Sequence, residues 1–276
     1  MAVTMKRKRL INPSKVSTRA YLQTLVDSGL ARRRTTRMVA GAFYIPKHNP
    51  AKPLGEDSHF VCSEAQTIGV GGWAKRGIDA GEYSRELMAN AVLSVCHQRD
   101  TVGCVDPMTA LDEAYVDTKA QGSCTACILT LVDDCLNAVN VGDSGFALLR
   151  AGKIVYTTPP QQSRFNCPFQ LGKSRGDPTA AEKFEVKVKP GDIIVMTTDG
   201  LFDNVHESEL EDLVNGSVSN KNPMKLARKF ARYALKNFLN GNIDTPFSAA
   251  TRIARIDEHA IGGKYDDITV VVAYIQ

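Results

Sequence analysis

The 276-residue sequence has no long apolar run, either within the chain or near its start. A membrane-spanning helix needs about 20 consecutive apolar residues, and a secretory signal contains an apolar stretch of roughly 7 to 15 residues. Because neither pattern occurs, we expect a soluble protein that is not exported. Hydrophobic residues make up 43% of the sequence and charged residues 23%, so a chain of this length can bury a substantial core.

The sequence also lacks the cysteine pattern of a disulfide framework. Its seven cysteines are an odd number and are scattered through apolar segments, which is typical of reduced thiols in an intracellular protein. Cys124 and Cys127 have C-x-x-C spacing, but a zinc site would need two further ligands and a redox motif would need a helix N-terminus. Since the residues after Cys127 favour a strand, we expect a buried structural pair.

Acidic residues are nearly absent from the first 48 positions, which carry eleven Lys or Arg residues and the single acid Asp27. The formal net charge of the chain is +4, so the remainder carries −6. Three interpretations of the basic segment stay open: a transit segment for a mitochondrion or chloroplast, a nuclear address at residues 6–9, or a solvated tail. Only Tyr21 is interleaved with these basic residues, so nucleic-acid binding is not expected.

Apolar spacing predicts helices in four places. Residues 82–97 carry apolar side chains at i, i+4 and i+8, the pattern of one helix face. Residues 107–119 begin with a proline, which the first turn of a helix tolerates well. Two later helices are predicted over residues 207–214 and 223–238.

Strand-prone runs lie between these helices. The predicted strands are residues 60–70, 126–132, 136–141, 145–149, 153–157, 183–188, 192–198 and 268–275. Short turns separate the four strands between residues 126 and 157, which predicts an antiparallel meander, and the two strands around Pro190-Gly191 are expected to pair. The order of elements predicts an α+β fold in which two antiparallel β-sheets pack face to face and helices flank them.

Four short acidic motifs interrupt or end the strand-prone runs. They are Gly55-Glu56-Asp57, Val141-Gly142-Asp143-Ser144-Gly145, Thr198-Asp199-Gly200 and Tyr265-Asp266-Asp267-Ile268-Thr269. Asp57 precedes the first predicted strand and Asp143 lies in a predicted hairpin turn. Each acid alone also fits an ordinary turn or strand end. Together, carboxylates at strand ends beside glycines can converge on one edge of the sandwich and bind a hard cation, Mg²⁺ or Mn²⁺.

The order and residue sequence of these motifs resemble those of the metal-dependent type 2C protein serine/threonine phosphatases, and more narrowly those of their plant and mitochondrial branch. The other matching segments are Gly122-Ser123-Cys124-Thr125, Phe165-Asn166-Cys167-Pro168-Phe169-Gln170-Leu171 and Leu201-Phe202-Asp203-Asn204-Val205. The resemblance implies the α/β sandwich of that family. It also implies a basic N-terminal extension over residues 1–40 and a catalytic domain over residues 41–276.

The resemblance implies a centre of two, or with a weaker site three, Mg²⁺ or Mn²⁺ ions that activates a water to hydrolyse phosphoserine or phosphothreonine. Carried over by position, the metal ligands would be Glu56, Asp57, Asp143, Asp199 and Asp266. Glu56 and Asp57 would bind metal directly or through water. Asp199 and Asp266 would bind the first metal, and Asp143 would hold the third metal or its water.

Lys52 stands near the position at which many relatives have an arginine that contacts phosphate. A lysine can serve there as a point charge, but it cannot offer the bidentate fork of a guanidinium group. Lys52 is therefore the candidate phosphate contact of this chain.

One motif of the family is incomplete. Relatives read Gly-Val-Ala-Asp-Gly-Val-Gly-Gly-Trp, whereas this chain runs Ile68-Gly69-Val70-Gly71-Gly72-Trp73, so four residues that include an Asp-Gly pair are missing. In the family that aspartate bridges two metals, and its loss removes negative charge between two mutually repelling cations. Glu64, predicted within a strand, and Asp79, predicted as a cap or turn residue, are not obvious substitutes.

Two classes of function follow. The first is a protein serine/threonine phosphatase whose partners are phosphorylated proteins, without membrane insertion. The second is a phosphatase-like binding or regulatory protein that is catalytically impaired because the bridging aspartate is missing. An error in the gene model that removed the four residues is a third explanation.

Overall fold

The structure, a computed structural model, describes residues 36–72, 80–217 and 221–276. Residues 1–35 of the basic segment, to which its three interpretations mainly refer, lie outside the described residues, as do Trp73 and Asp79. Within the described ranges, no helix combines the length and the apolar character needed to cross a membrane.

The described ranges contain two sets of elements. The strands are β1 (Met38–Ile45), β2 (Ser58–Cys62), β3 (Thr67–Gly71), β4 (Ala126–Val132), β5 (Cys135–Val141), β6 (Gly145–Arg150), β7 (Lys153–Thr157), β8 (Gln162–Arg164), β9 (Cys167–Pro168), β10 (Glu182–Lys187), β11 (Ile193–Thr197) and β12 (Ile268–Ile275). The α-helices are α1 (Ala80–Thr101), α2 (Pro107–Asp117), α3 (Asp199–Phe202), α4 (Glu207–Asn215), α5 (Pro223–Leu239) and α6 (Pro246–Ile253).

Two five-stranded antiparallel sheets dominate the described residues. The first sheet has the strand order β1-β12-β11-β6-β7, and the second has the order β10-β5-β4-β3-β2. Helices α1 and α2 pack on the second sheet, whereas α5 packs on β1 and β12 of the first. The predicted α+β fold, two antiparallel sheets flanked by helices, is confirmed.

Side-chain alternation explains why the central strands are apolar along their whole length. In β12, Val271 and Ala273 point into the core between the sheets, whereas Val270 and Val272 point into the core beneath α5. Successive side chains of a strand point to opposite faces, so a strand that is covered on both sides needs apolar residues at every position.

The same alternation separates the two cysteines of the C-x-x-C motif. Both are buried free thiols, but Cys124 belongs to the core under α1 and α2, whereas Cys127 belongs to the core between the sheets. The prediction of burial is confirmed. The prediction of a pair is wrong, because the two side chains lie in different cores.

Helix starts are set by side chains that cap them. Asp106 accepts hydrogen bonds from the backbone N–H groups of Met108 and Thr109 at the start of α2, and Asn222 accepts one from Lys225 at the start of α5. Both helices have proline in their first turn, where the missing N–H would be unpaired anyway. This is why the helices of the sequence prediction start where expected.

The predicted meander is wrong in one respect. The β4–β5 hairpin lies in the second sheet and the β6–β7 hairpin lies in the first, so the chain crosses between the sheets at residues 142–144. Asp143 therefore lies in a crossover and not in a hairpin turn. Similarly, β10 pairs with β5 and β11 pairs with β6 and β12, so the strands around Pro190-Gly191 do not pair with each other. Short turns allow both arrangements, because turn residues do not specify a sheet.

Residues 60–70, predicted as one strand, form the β2–β3 hairpin instead. Its turn includes Gln66 at φ 51°, a left-handed conformation that breaks an extended run. Glu64 consequently lies in the turn and not within a strand. Strand β1 and the short helices α3 and α6 were not predicted, and because β1 comes first, Asp57 precedes the second strand of the described chain.

Candidate metal centre

Four of the predicted ligands are brought together by elements that are distant in sequence. Asp57 directly precedes β2, Asp143 lies in the crossover between the sheets, Asp199 begins α3 after β11, and Asp266 lies just before β12. These four aspartates line one pocket of about 170 Å³. The remaining lining residues are Gly72, Asn166, Pro168 and Lys264.

Asp57 is held by the ends of two neighbouring strands. Its Oδ2 accepts a hydrogen bond of 2.6 Å from the Thr198 hydroxyl and one of 2.7 Å from the Thr269 hydroxyl. Burial, together with the negative charges of Asp267 and Asp266, raises the pKa of Asp57 well above its usual range. An oriented and strongly destabilised carboxylate of this kind gains stability from a nearby cation.

The shortened glycine turn places its backbone against the same carboxylate. A Cβ atom on Gly72 would lie 1.7 Å from Asp57 Oδ1, so this position requires glycine. The carbonyl oxygen of Gly72 accepts hydrogen bonds of 3.2 Å from the backbone N–H of Thr125 and 3.0 Å from its hydroxyl. The turn thus remains part of the site although the family's Asp-Gly pair is missing.

Lys264 lies among the carboxylates and was missed by the sequence analysis. Its Nζ donates hydrogen bonds to Asp199 and, at 2.8 Å, to Asp203 Oδ2, and it lies 3.6 Å from Asp266 Oδ2. Burial alone lowers the pKa of Lys264, but the charges of these three aspartates raise it above its usual range overall. The sequence signal that could have indicated this role is the position of Lys264, two residues before the predicted ligand Asp266.

Asp203 belongs to one of the matching sequence segments but was not predicted as a site residue. Burial raises its pKa to about 6; Lys264 opposes this shift and Asp199 adds to it. Burial and the charge of Asp199 also raise the pKa of Asp143 to about 7 and that of Asp266 to about 6. One ammonium group therefore does not fully offset the crowding of these carboxylates.

Glu56 does not line the pocket. Its buried carboxylate forms ion pairs with Lys52 and, at 3.0 Å, with Lys47 Nζ, which also lies 3.2 Å from Asp266 Oδ1. Lys47 therefore joins Glu56 to Asp266. Lys52, the candidate phosphate contact, likewise does not line the pocket.

Asp267 holds the loop that carries Glu56 and Asp57 against the start of the last strand, β12. Its two carboxylate oxygens accept hydrogen bonds of 2.7 Å from the backbone N–H groups of Lys47 and Glu56. Because Asp267 is buried and adjacent to Asp266, it fixes the loop that carries Glu56 and Asp57 relative to the start of β12.

The donor chemistry of the pocket fits a hard divalent cation, because four carboxylates are the ligands that Mg²⁺ and Mn²⁺ prefer. Two of these four carboxylates, Asp199 and Asp266, face the ammonium group of Lys264. In the described part of the chain, no three His, Cys, Asp or Glu side chains are grouped as they would be around a metal ion.

Similarity to known proteins agrees with this fold and site. A family model described as Stage II sporulation protein E (SpoIIE) matches residues 105–276. "Probable protein phosphatase 2C 55" of Arabidopsis thaliana is 45% identical over 246 residues, which cover 87% of this chain and 52% of that protein. The chain thus spans about half the length of this relative.

Two solved structures share the fold. The photosystem II phosphatase PBCP matches with a TM-score of 0.78 and 29% identity, covering 87% of this chain and 99% of that one. The catalytic domain of the serine/threonine phosphatase PstP, in complex with two manganese ions, matches with a TM-score of 0.62 and 17% identity, covering 87% and 99%. From its motifs, its sheets and these relatives, the chain belongs to the type 2C family of protein phosphatases.

Proposed function

We propose that this chain hydrolyses phosphoserine and phosphothreonine in proteins, using divalent metal ions and a metal-activated water. One observation carries the proposal: aspartates at positions 57, 143, 199 and 266 line a single pocket. Bound manganese in PstP, which has the same fold, supports a divalent metal ion such as Mn²⁺. The substrates would be phosphorylated proteins.

In this proposal Asp57, Asp199 and Asp266 would hold two ions, and Asp143 would hold a third ion or its water. Such ions lower the pKa of a bound water and neutralise phosphate oxygens. The hydroxyl groups of Thr198 and Thr269 fix the orientation of Asp57. Glu56 lies outside the pocket and would act through water.

The lysines have separate roles. Lys52 supplies a positive charge for the phosphate group, and it exchanges its ion pair with Glu56 for that contact. Lys264 pairs with Asp199 and lies near Asp266, and a divalent cation held by these two carboxylates would be an alternative positive partner. Metal binding therefore competes with the ion pairs of Lys264.

The test compares three forms of the chain: the chain itself, an Asp199→Asn variant, and a variant with Ala-Asp-Gly-Val inserted after Val70. Phosphate release from p-nitrophenyl phosphate and from a phosphothreonine peptide is measured with Mn²⁺ and with EDTA. The proposal predicts Mn²⁺-dependent release by the chain and the insertion variant, and a loss of at least 100-fold in Asp199→Asn, by analogy with the loss of other transition-state contacts. Equal turnover with and without the insertion would show that the shortened turn is harmless.

A second candidate function is phosphoprotein binding without turnover. It is favoured by the missing Asp-Gly pair and by the ion pairs of Lys264, which occupy oxygens that a metal would need. Phosphate release only after insertion of the four residues would select this candidate, or an error in the gene model. Transcript sequencing across the codons for Val70 and Gly71 separates these two explanations.

A further inference from the structure

A larger cavity adjoins the carboxylate pocket. It measures about 410 Å³, compared with about 170 Å³ for the pocket, and the two share Asp143, Asn166 and Asp199 as lining residues. We call this cavity the side cleft. Because they share three lining residues, the side cleft and the carboxylate pocket are neighbours.

Apolar side chains from separate parts of the chain make up about half of the lining of the side cleft. Phe165 comes from the segment between β8 and β9, Leu210 from α4, Phe247 and Ala250 from α6, and Ile154 from β7. The rings of Phe165 and Phe247 lie 5.6 Å apart between centroids, a separation typical of stacked aromatic pairs. Their contact closes the cleft between two elements that the sequence separates by about 80 residues.

The wall of the side cleft is also tied to the carboxylate cluster. The Nζ of Lys264 lies 5.6 Å from the centroid of the Phe247 ring, within the range of a cation–π contact. The backbone N–H of Phe247 donates a hydrogen bond of 3.0 Å to the carbonyl oxygen of Asp203. A group in the cleft therefore has a fixed position relative to the carboxylates.

We propose that the side cleft binds one bulky apolar side chain of the phosphoprotein substrate, from a residue a few positions away from the phosphorylated serine or threonine. The identity of the substrate rests on the proposed function. The apolar walls favour an apolar side chain, and the lining residues shared with the carboxylate pocket keep both groups within reach of one extended peptide. Phe165, Phe247 and Ala250 are then the residues that determine substrate specificity.

Acidic side chains at the cleft restrict the substrate further. Asp203 and Glu207 line it in addition to the shared Asp143 and Asp199, so acidic residues next to the apolar one are disfavoured. A substrate with a bulky apolar residue and no acidic neighbour fits this combination of walls and charge.

The test uses nine-residue peptides with a central phosphonate analogue of phosphothreonine, which is not hydrolysed. Alanine fills the other positions, and a single phenylalanine replaces it at each of the three positions on either side. Dissociation constants are measured by fluorescence anisotropy with the intact chain and Mn²⁺. We expect phenylalanine at one position to tighten binding about tenfold, the discrimination typical of an apolar pocket. Equal binding of all the peptides would overturn the proposal.

Substitutions locate the effect. The measured quantity is a ratio: the dissociation constant of the alanine peptide divided by that of the tightest-binding phenylalanine peptide. Ala250→Trp fills the side cleft from α6 and is expected to bring this ratio close to one. Phe165→Ala removes the opposite wall and is expected to lower that ratio at least threefold, which keeps the test valid if Ala250→Trp does not fold. The control is Phe169→Ala, which changes an exposed phenylalanine directly after β9 that does not line the cleft. An unchanged ratio in both cleft variants would overturn the proposal.

Phosphate release from matching phosphothreonine peptides separates this proposal from the proposed function. A binding preference without phosphate release supports the side cleft and contradicts hydrolysis by this chain. Phosphate release at equal kcat/KM from all peptides, without a binding preference, supports hydrolysis and overturns the side cleft.

Discussion

Lys264 is the residue whose position most affects the interpretation of the site. Its ammonium group contacts Asp199 and Asp203 and lies near Asp266, so a positive charge already stands among the carboxylates. The aspartates were predictable because carboxylate oxygens bind metal ions, whereas a lysine is not a metal ligand and gave no such signal. A cluster of buried carboxylates needs positive charge from some source, and here that source directly precedes the last acidic motif.

Replacing Lys264 by methionine is expected to have two opposite effects. The metal-free protein should lose about 3 kcal/mol of unfolding free energy, because breaking a largely buried ion pair leaves uncompensated charge. The affinity for Mn²⁺ should rise, because the competing ammonium group is gone. Chemical denaturation without metal and calorimetric titration with Mn²⁺ measure the two effects.

The matched control is Lys187→Met. Lys187 pairs with Asp134 at 2.9 Å, but both side chains are more than half exposed, and exposed pairs contribute about 0 to 1 kcal/mol. An unchanged or weaker Mn²⁺ affinity in Lys264→Met would contradict the competition between lysine and metal.

Gly72 gives a second prediction at this scale. A methyl group there would meet Asp57 Oδ1 at 1.7 Å, so Gly72→Ala must displace the carboxylate from Thr198 and Thr269. We expect Mn²⁺ affinity to fall about 10- to 100-fold, the usual effect of disturbing groups that orient a metal ligand. Gly241→Ala is the control, because its added Cβ meets nothing within 4 Å. Equal affinity in the two variants would show that Asp57 does not bind metal.

At the scale of elements, Asn204 connects three parts of the site. Its side chain donates hydrogen bonds to the carbonyl oxygens of Gly200 in α3 and Lys264, and accepts one from the backbone N–H of Lys264. Asn237 of α5 in turn donates to the carbonyl oxygen of Asn204. Asn204 thus positions the segment that carries Lys264 and Asp266 relative to Asp199.

Asn204→Ala should lower the unfolding free energy by about 3 kcal/mol, because it leaves several buried backbone groups unpaired. It should also weaken Mn²⁺ binding without removing any ligand. Asn215→Ala, which removes an exposed hydrogen bond of 3.3 Å to Gly152, is expected to change the unfolding free energy by less than about 0.5 kcal/mol. Similar losses in both variants would refute the positioning role of Asn204.

Some helices and strands were predictable from the sequence, whereas others were not. The amphipathic helices α1, α2, α4 and α5 and the β-branched strand β12 were predictable, since periodicity and caps are local properties. The assignment of β6 and β11 to a different sheet from β5 and β10 was not, because it depends on contacts between distant residues. Helix α6 is short, and its start depends on the reciprocal hydrogen bonds of Thr245 and Ser248, which hydropathy does not reveal.

At the scale of the whole molecule, the first sheet includes β1, a strand that follows the basic residues 1–35 in the sequence. Strand β1 pairs with β12 over all eight of its residues, from Met38 to Ile45, and α5 packs across both strands. We propose that the catalytic domain includes β1 and therefore starts before residue 41. The convergence of the aspartates was predictable from their shared position at strand ends, whereas the side cleft was not, because it forms only when α6 packs beside the segment between β8 and β9.

Two truncations test this boundary. Deleting residues 1–35 removes none of the described residues, whereas deleting residues 1–45 removes β1 and exposes the edge of β12. We expect the longer deletion to lower the melting temperature by at least about 10 °C relative to the shorter one, since losing buried side chains such as Met38 costs several kcal/mol. Equal melting temperatures in a calorimetric scan would mean that β1 is dispensable.

Calorimetric titration with Mn²⁺ tests the central claim most directly. The proposed role of the converging aspartates predicts saturable uptake by the chain, tighter uptake after insertion of Ala-Asp-Gly-Val behind Val70, and loss of uptake in Asp199→Asn. Absence of uptake by both the chain and the insertion variant would contradict a metal centre built from these four carboxylates.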